Sequence, residues 1–200
     1  MTADPGNIVG NHEDKYRATN PIARALMRGF LNSVTDLYQR TGARRVLEVG
    51  CGEGQLADHL IKTSRPDTFE ACDVALHPIN DLDPQIVLRE ASIYALPHAD
   101  ASFDLVVCCE VLEHLHDPAA GLAEISRVSA RHVLLSTPWE PVWRILNVAR
   151  GRYLRDLGNT PGHVQHFSRR ALLDLARARL HVREVRRPLP WTVILGEVRR

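Results

Sequence analysis

The residues best suited to chemistry lie in the segment CCEVLEHLHDP (108–118), where two glutamates and two histidines crowd together. Glu110, Glu113 and His114 have the spacing i, i+3 and i+4, so they share one face if a helix begins near Glu110. Two such close carboxylates repel each other unless a proton or a cation lies between them. Carboxylate oxygens with one imidazole suit Mg²⁺, Mn²⁺ or a similar ion. A metal site and a solvated helix face are both open interpretations, and His116, which leaves this face, is assigned no role.

A second candidate site is the segment LEVGCGEG (47–54), which ends one predicted strand and opens a helix. Gly50, Gly52 and Gly54 tolerate positive φ and let a ligand approach the backbone closely. Asp73 ends the next predicted strand, where a carboxylate can accept hydrogen bonds from the ribose hydroxyls of a nucleoside cofactor. A tight turn followed by an N-capping aspartate is the structural alternative.

These two segments are embedded in an alternation of strands and helices. An amphipathic helix begins at Pro21 and ends at Gly42, and further helices are predicted at 54–64, 117–129 and 168–179. The predicted strands are 44–50, 68–74, 85–90, 103–109 and 132–138, followed by HVREVRR and WTVILGEV as a closing antiparallel pair. Alternating apolar strands and helices predict an α/β fold in which a parallel sheet is covered on both faces, with ligand sites at the carboxyl ends of its strands.

The bulk composition, 44% hydrophobic and 24% charged, is typical of a soluble globular protein. No apolar run approaches the roughly 20 residues that span a bilayer, and the N-terminus lacks the apolar core of a secretory signal. We therefore expect a cytoplasmic protein without membrane contact. The four cysteines have neither zinc-site nor disulfide-framework spacing, which favours buried free thiols.

Charge is distributed unevenly along the chain. Residues 141–200 carry 13 arginines but only four acidic side chains, although the whole chain has a net charge of +1. Such asymmetry can mark a surface for an anionic partner, and solvated helix faces are the simpler alternative.

The order of VLEVGCGEG, ACDV and ALPHADASFDLVVCCEVLEHLHDP resembles the class I S-adenosylmethionine (SAM)-dependent methyltransferases over roughly residues 40–180. The resemblance implies a Rossmann-like, seven-stranded, mostly parallel sheet with helices on both faces, and SAM as the cofactor. It also implies that residues 1–40 cover the cofactor site. The methyltransferase domain would then occupy 41–200, with a lid-like insert at about 139–166.

By the same resemblance, Glu48 and the glycine loop would hold the methionyl part of SAM. Asp73 would bind the ribose hydroxyls, and Val74 would pack on the adenine. Ser92 stands where the family usually has an acidic residue near the adenine amine, with Ile93 beside it. The expected cofactor contacts are Glu48, Gly50, Cys51, Gly52, Gly54, Asp73, Val74, Ser92, Ile93, Cys109 and Tyr16.

A third segment, GHVQHFSRR (162–170), completes a further likeness. E-x-x-E-H followed by H-x-x-x-[aromatic]-[ST]-R resembles the metal-dependent 2′-O-methyltransferases of small RNAs, and a similar E-x-x-E-H occurs in the ubiquinone-biosynthesis O-methyltransferases. The likeness implies Mg²⁺ or Mn²⁺ held by Glu110, Glu113, His114 and His163. The expected catalytic residues are Glu113, His114, His163 and His166. Of these, His166 is free to act as general base or to bind substrate, and capping or packing remains the alternative for both histidines of the third segment.

The expected activity is O-methylation of a hydroxyl on a small molecule or glycan. RNA ribose 2′-O-methylation, a non-catalytic cofactor-binding module and a nicotinamide-dependent dehydrogenase remain alternatives. The insert predicts an aromatic, basic cap that stacks on the acceptor, although Trp143 could simply fold onto the core. The residues of this cap are Trp139, Trp143, Tyr153, Arg144, Arg150, Arg152 and Arg155. The sequence indicates no particular oligomeric state.

Overall fold

One seven-stranded sheet with flanking helices organises the described part of the chain. The computed structural model describes residues 20–149, 157, 159 and 163–200. The strands are β1 Arg45–Val49, β2 Thr68–Asp73, β3 Ile86–Glu90, β4 Phe103–Cys109, β5 Ser129–Pro138, β6 Leu180–Arg186 and β7 Trp191–Val198. The helices are α1 Pro21–Thr41, α2 Gln55–Thr63, α3 Pro118–Val128, α4 Glu140–Ala149 and α5 Arg169–Arg177. Tyr16, Arg150, Arg152, Tyr153 and Arg155 lie outside the described residues.

The strand order is β3-β2-β1-β4-β5-β7-β6. Strands β1 to β5 pair in parallel, and β7 runs antiparallel to both β5 and β6. The predicted Rossmann-like sheet and its closing antiparallel pair are therefore confirmed. One boundary differs from expectation, since β5 begins at Ser129 rather than at 132. The insert begins with helix α4, which agrees with the alternative in which Trp143 folds onto the core.

Apolar side chains cover both faces of the sheet. Along β4, Leu105 and Val107 join the cluster under α1 and α2, whereas Val106 and Cys108 join the cluster under α3 and α5. This alternation follows from the period of two in an extended strand. The predicted helices on both faces are confirmed, and no helix in the described ranges is long and apolar enough to cross a membrane.

Local capping signals set the ends of several helices. The Asp117 side chain accepts a hydrogen bond of 2.9 Å from the Ala120 N–H, directly before Pro118 in the first position of α3. The Ser168 hydroxyl accepts one of 3.1 Å from the Ala171 N–H at the start of α5. Gly42 ends α1 with a left-handed φ of 59°, a conformation that costs glycine least.

Helix α1 packs its apolar stripe against α2, β5 and β7. The stripe runs through Met27, Phe30, Val34, Leu37 and Tyr38, which are all buried. It does not extend to the first turn, where Ile22 is 70% exposed, because that turn projects past the core. Phe30 is 1% exposed, and its ring centroid lies 4.9 Å from the ring centroid of Trp191.

We expect Phe30→Ala to lower the free energy of unfolding by about 3–5 kcal/mol, because it leaves a cavity beside Trp191. Ile22→Ala, on the same helix but exposed, should change it by less than about 0.5 kcal/mol. Urea denaturation of both variants measures the difference. Similar losses in the two variants would contradict the packing of α1 described here.

Candidate active site

The glycine loop after β1 is held by backbone hydrogen bonds to the end of β2. The Gly50 N–H donates to the Cys72 carbonyl at 2.8 Å, and the Gly52 N–H donates to Asp73 Oδ2 at 2.8 Å. Asp73 Oδ1 accepts from the Val74 N–H at 2.7 Å. Because β1 and β2 are parallel neighbours, their carboxyl ends meet at one edge, and the structure brings Asp73 to the loop as its sequence position suggested.

The loop is tightly packed at one glycine and open at another. A Cβ on Gly50 would lie 2.2 Å from Val111 Cγ2, so no larger residue fits there without displacing Val111. A Cβ on Gly52 would meet nothing within 4 Å. Both residues have positive φ, 78° and 53°. The loop is thus pressed against the segment after β4 and keeps an open side at Gly52, where a ligand can approach the backbone.

Glu48 is a buried acid directly below this loop. It is 2% exposed, and its Oε2 has no hydrogen-bond partner among the described residues. Burial, and then the nearby charge of Asp73, raise the pKa of Glu48 from 4.5 to about 8, while the Ala57 N–H at the start of α2 lowers the pKa in part. Glu48 therefore holds a proton at neutral pH in this structure.

The remaining predicted cofactor contacts differ in accessibility. Val74 is 47% exposed at the end of β2. Ile93 is instead buried against α3 near Gly121, so its side chain is committed to the core. The Ser92 hydroxyl accepts a hydrogen bond of 3.3 Å from the Tyr94 N–H. The neighbouring Tyr94 is 43% exposed, and its hydroxyl accepts a hydrogen bond of 3.2 Å from the Asp117 N–H.

The four cysteines are free and buried, as predicted. Burial raises the pKa of Cys72 to about 12 and holds the pKa of the Cys109 thiol well above its usual range. Burial likewise raises the pKa of Cys51. These raised pKa values keep the thiols at 51 and 109 neutral.

Glu113, His114 and His163 form a compact cluster at the carboxyl end of β4. Each offers a carboxylate oxygen or ring nitrogen within 4.8 Å of the others. Glu113 is 1% exposed and His163 is 7% exposed. The two imidazole rings meet edge to face, with centroids 4.9 Å apart. One carboxylate and two imidazoles are a donor set that suits a divalent cation.

Backbone hydrogen bonds bring His163 to this cluster from a distant part of the chain. The Glu113 carbonyl accepts from the Val164 N–H at 3.0 Å and from the Gln165 N–H at 2.9 Å. These bonds dock the segment before α5 onto the short 3₁₀ helix Leu112–His114.

Glu110 does not join the cluster in the way that its spacing predicted. The prediction of a helix that begins near Glu110 is wrong, because Glu110 has a left-handed φ of 61° and the following turn is the 3₁₀ helix. Its carboxylate accepts hydrogen bonds from Ser136 Oγ at 3.0 Å and from Trp191 Nε1 at 2.6 Å. The structure therefore brings together three of the four expected ligands and turns the fourth toward β5 and β7.

Residues around the insert also divide into two groups. His166 is exposed, with Nε2 2.9 Å from Asn159 Oδ1, and does not belong to the cluster. Trp143 is buried 5.7 Å from the Trp191 ring, so it serves the core. Trp139 is partly exposed, and the Arg169 guanidinium lies 3.7 Å above its ring centroid. Of these two tryptophans, Trp139 is the one with an exposed part.

Glu140, in the first turn of α4, is a site residue that sequence reasoning missed. Its Oε1 lies 2.6 Å from His163 Nδ1, and both residues are buried. An acidic residue directly after a strand that ends at the ligand-binding edge was the available signal.

The strand order and the position of the site at the carboxyl ends of β1, β2 and β4 define a Rossmann-like methyltransferase fold. The magnesium protoporphyrin IX methyltransferase of Synechocystis, with bound S-adenosylhomocysteine (SAH), superposes with a TM-score of 0.65 at 13% identity. The superposition covers 93% of this chain and 94% of that one. The methyltransferase domain of bacterial CtHen1 superposes with a TM-score of 0.66 at 19% identity, covering 86% of this chain and all of that one. At these identities the likeness establishes the fold alone.

Sequence comparison identifies the family. A family model described as a methyltransferase domain matches residues 12–179, and the chain belongs to this family. The ubiquinone biosynthesis O-methyltransferase of Paracidovorax citrulli is 35% identical over 125 residues, which cover 58% of this chain and 50% of that protein. A probable S-adenosylmethionine-dependent methyltransferase of Mycobacterium tuberculosis is 36% identical over 105 residues, covering 51% and 38% respectively. The chain thus spans half or less of the length of these curated relatives.

The raised pKa of Glu48 predicts a pH dependence of stability. Between pH 4.5 and about 8 the folded chain keeps a proton that the unfolded chain has released, so the free energy of unfolding should fall as pH rises through this window. Glu48→Gln should remove this component and stabilise the protein at pH 9 by on the order of 2–5 kcal/mol, with little effect near pH 4. Urea denaturation at both pH values tests it; an equal effect at the two would contradict the buried, protonated state.

Proposed function

We propose that this chain is a SAM-dependent O-methyltransferase that acts on a hydroxyl of a small molecule or glycan, assisted by Mg²⁺ or Mn²⁺ at Glu113, His114 and His163. The observation that carries the proposal is the contact between Gly50 and Val111. It joins the glycine loop to the segment that contains Glu113, so a cofactor on the loop would present its methyl group next to the cluster.

The residues present fit SAM. Gly52 leaves an open side in the loop. The Asp73 carboxylate accepts from the N–H groups of Gly52, Val74 and Ala75, and its remaining lone pair could accept from a ribose hydroxyl. The Glu48 carboxyl, whose Oε2 has no hydrogen-bond partner among the described residues, offers a polar group below the loop. The half-exposed side chains of Val74 and Tyr94 supply apolar surface for the adenine. When bound, SAM supplies an electrophilic methyl group on its sulfonium.

The cluster fits a divalent cation and an acceptor hydroxyl. A cation there would lower the pKa of a hydroxyl that it polarises. Glu113, His114 and His163 would hold and orient this group, and the buried setting of Glu113 and His163 would exclude water. Without a cation, His114 or His163 would accept the hydroxyl proton, since an ordinary imidazole pKa suits proton removal near neutral pH. The exposed His166 lies outside the cluster and is the weaker candidate for this base.

One relative and one feature of the structure support the O-methyl part of the proposal. One curated relative is named as an O-methyltransferase of ubiquinone biosynthesis. The partly exposed Trp139, beneath Arg169, offers a planar surface on which a ring or sugar could stack. Because the chain matches only half of that relative, its substrate does not transfer directly.

RNA ribose 2′-O-methylation is the second candidate, favoured by the arginine-rich C-terminal third. Several of these arginines are already engaged by carboxylates: Arg183 by Glu197, and Arg186 by Glu184 and Asp36. Such pairing reduces the charge available to phosphates, so a small acceptor is the better candidate. Salt-dependent binding of RNA oligonucleotides would favour RNA instead.

Membership of the methyltransferase-domain family argues against a nicotinamide-dependent dehydrogenase. Methyl release from SAM would separate an enzyme from a non-catalytic module.

We expect Gly52→Ala to weaken binding of SAH by at least about tenfold, because its methyl would enter the open side of the loop. Gly42→Ala is the matched control, since Gly42 has a φ of 59° and an equally open Cβ direction but caps α1. Both variants should lose about 1–2 kcal/mol of stability from the left-handed backbone. Calorimetric titration with SAH and urea denaturation measure the two effects. Equal SAH affinities in the two variants would contradict the proposed cofactor cradle.

We expect a chelator to abolish methyl transfer and Mn²⁺ or Mg²⁺ to restore it, in a screen of catechols, sugars and RNA oligonucleotides with radiolabelled SAM.

Glu113→Gln and His163→Gln should lower turnover by about 10²–10⁴-fold, because the acceptor loses its orienting and proton-accepting groups. His116→Gln is the control, since His116 is exposed on the same loop. Full turnover in chelator would remove the metal from the proposal, and full turnover in both variants would remove the cluster from the site.

A further inference from the structure

The buried pair of Glu140 and His163 connects the cluster to the insert. Glu140 Oε1 and His163 Nδ1 are 2.6 Å apart, and their side chains are 4% and 2% exposed. Such a short contact between buried groups is typical of a charge-assisted hydrogen bond. It links the first turn of α4 to the segment that precedes α5.

This contact bears on which ring nitrogen of His163 carries a proton. When Glu140 is ionised, its carboxylate only accepts hydrogen bonds, so Nδ1 donates to it. In the neutral imidazole, Nε2 then carries the lone pair. Because Glu140 occupies Nδ1, Nε2 is the ring nitrogen of His163 that stays available to a ligand, and a lone pair there can bind a cation or accept a proton.

The pair also changes the charge balance of the site. Glu113 and Glu140 are 1% and 3% exposed, so two carboxylates lie buried close to two imidazoles. If both acids are ionised and both imidazoles neutral, the group carries two negative charges, which a divalent cation would balance. Glu140 Oε2 is itself buried without a hydrogen-bond partner among the described residues, so burial of this acid is costly unless a positive charge lies nearby.

We propose that Glu140 is a positioning residue that holds His163 as its Nδ1–H tautomer and directs Nε2 to Glu113 and His114. It acts through His163 and adds the second negative charge of the site, which favours a divalent ion. This inference rests on the proposed function in assuming that the cluster binds a cation. The geometry of the hydrogen bond stands without that assumption.

A purely structural role for Glu140 is the competing explanation. An acid in the first turn of a helix stabilises it, and the Glu140 N–H also donates to the Phe167 carbonyl at 3.3 Å. Removing the side chain would then cost stability but would leave the His163 tautomer and the cation affinity unchanged.

The test compares Glu140→Leu, which removes acceptor and charge, and Glu140→Gln, which keeps the side-chain size and removes the charge. Asp174→Asn is the control, because it removes an exposed carboxylate from α5. Long-range ¹H–¹⁵N correlation spectra of the full chain without metal report the tautomer of His163, assigned with His163→Gln. Titration with Mn²⁺ reports cation affinity, and SAH affinity reports the integrity of the neighbouring cofactor site.

We expect the Nδ1–H tautomer in the wild type and a shift toward Nε2–H in Glu140→Leu. Mn²⁺ affinity should fall by about 10–100-fold in both Glu140 variants, with SAH affinity and the Asp174→Asn control unchanged. An unchanged tautomer in Glu140→Leu would overturn the inference, as would unchanged Mn²⁺ affinity in both variants. If the wild type binds no Mn²⁺, the metal in the proposed function fails and so does the charge role of Glu140, while the tautomer shift still decides its positioning role. If Glu140→Leu does not fold, Glu140→Gln with its Mn²⁺ affinity decides.

Discussion

The contact between Gly50 and Val111 is the constraint on which the rest of the site depends. A side chain at position 50 would begin 2.2 Å from Val111 Cγ2, so only glycine lets the end of β1 approach the segment after β4 this closely. These two strands are parallel neighbours in the sheet, and their carboxyl ends lie at the same edge. The loop that would cradle a cofactor and the turn that carries Glu113 therefore touch directly, with no space for an intervening layer.

Glu110 and Glu113 show how one turn separates two roles. The left-handed backbone at Glu110 turns its carboxylate toward Ser136 on β5 and Trp191 on β7. The Trp191 ring in turn packs near Phe30 and Trp143, so Glu110 ties the end of β4 to the core. Glu113, in the 3₁₀ helix that follows, is left to face the histidines. The acid that braces the turn and the acid that belongs to the cluster are thus distinct.

Much of the framework could be predicted because its signals are local. The apolar run at 103–109 became β4 with the expected bounds, and Asp117 with Pro118 opened α3 as expected. The spacing of Glu110, Glu113 and His114 predicted a shared helix face that the structure does not have. Separations of three and four residues do not distinguish an α-helix from a 3₁₀ turn that begins later. Helix α4 was one of two open alternatives, because the apolar residues of the insert suited either a cap or a packed helix, and Glu140 in its first turn was missed.

The sequence by itself determined the alternation of strands and helices, the glycine loop with Asp73 after it, and the place of an acidic, histidine-containing turn after β4. These features depend on residues close together in the chain, whose propensities and spacing act locally. Only the tertiary structure decided which acid joins the cluster and how the distant groups reach it. His163 reaches Glu113 because two backbone N–H groups bond to the Glu113 carbonyl, and Glu140 reaches His163 because α4 starts at the same edge of the sheet. Such contacts between remote segments are set by packing, and no local pattern encodes them.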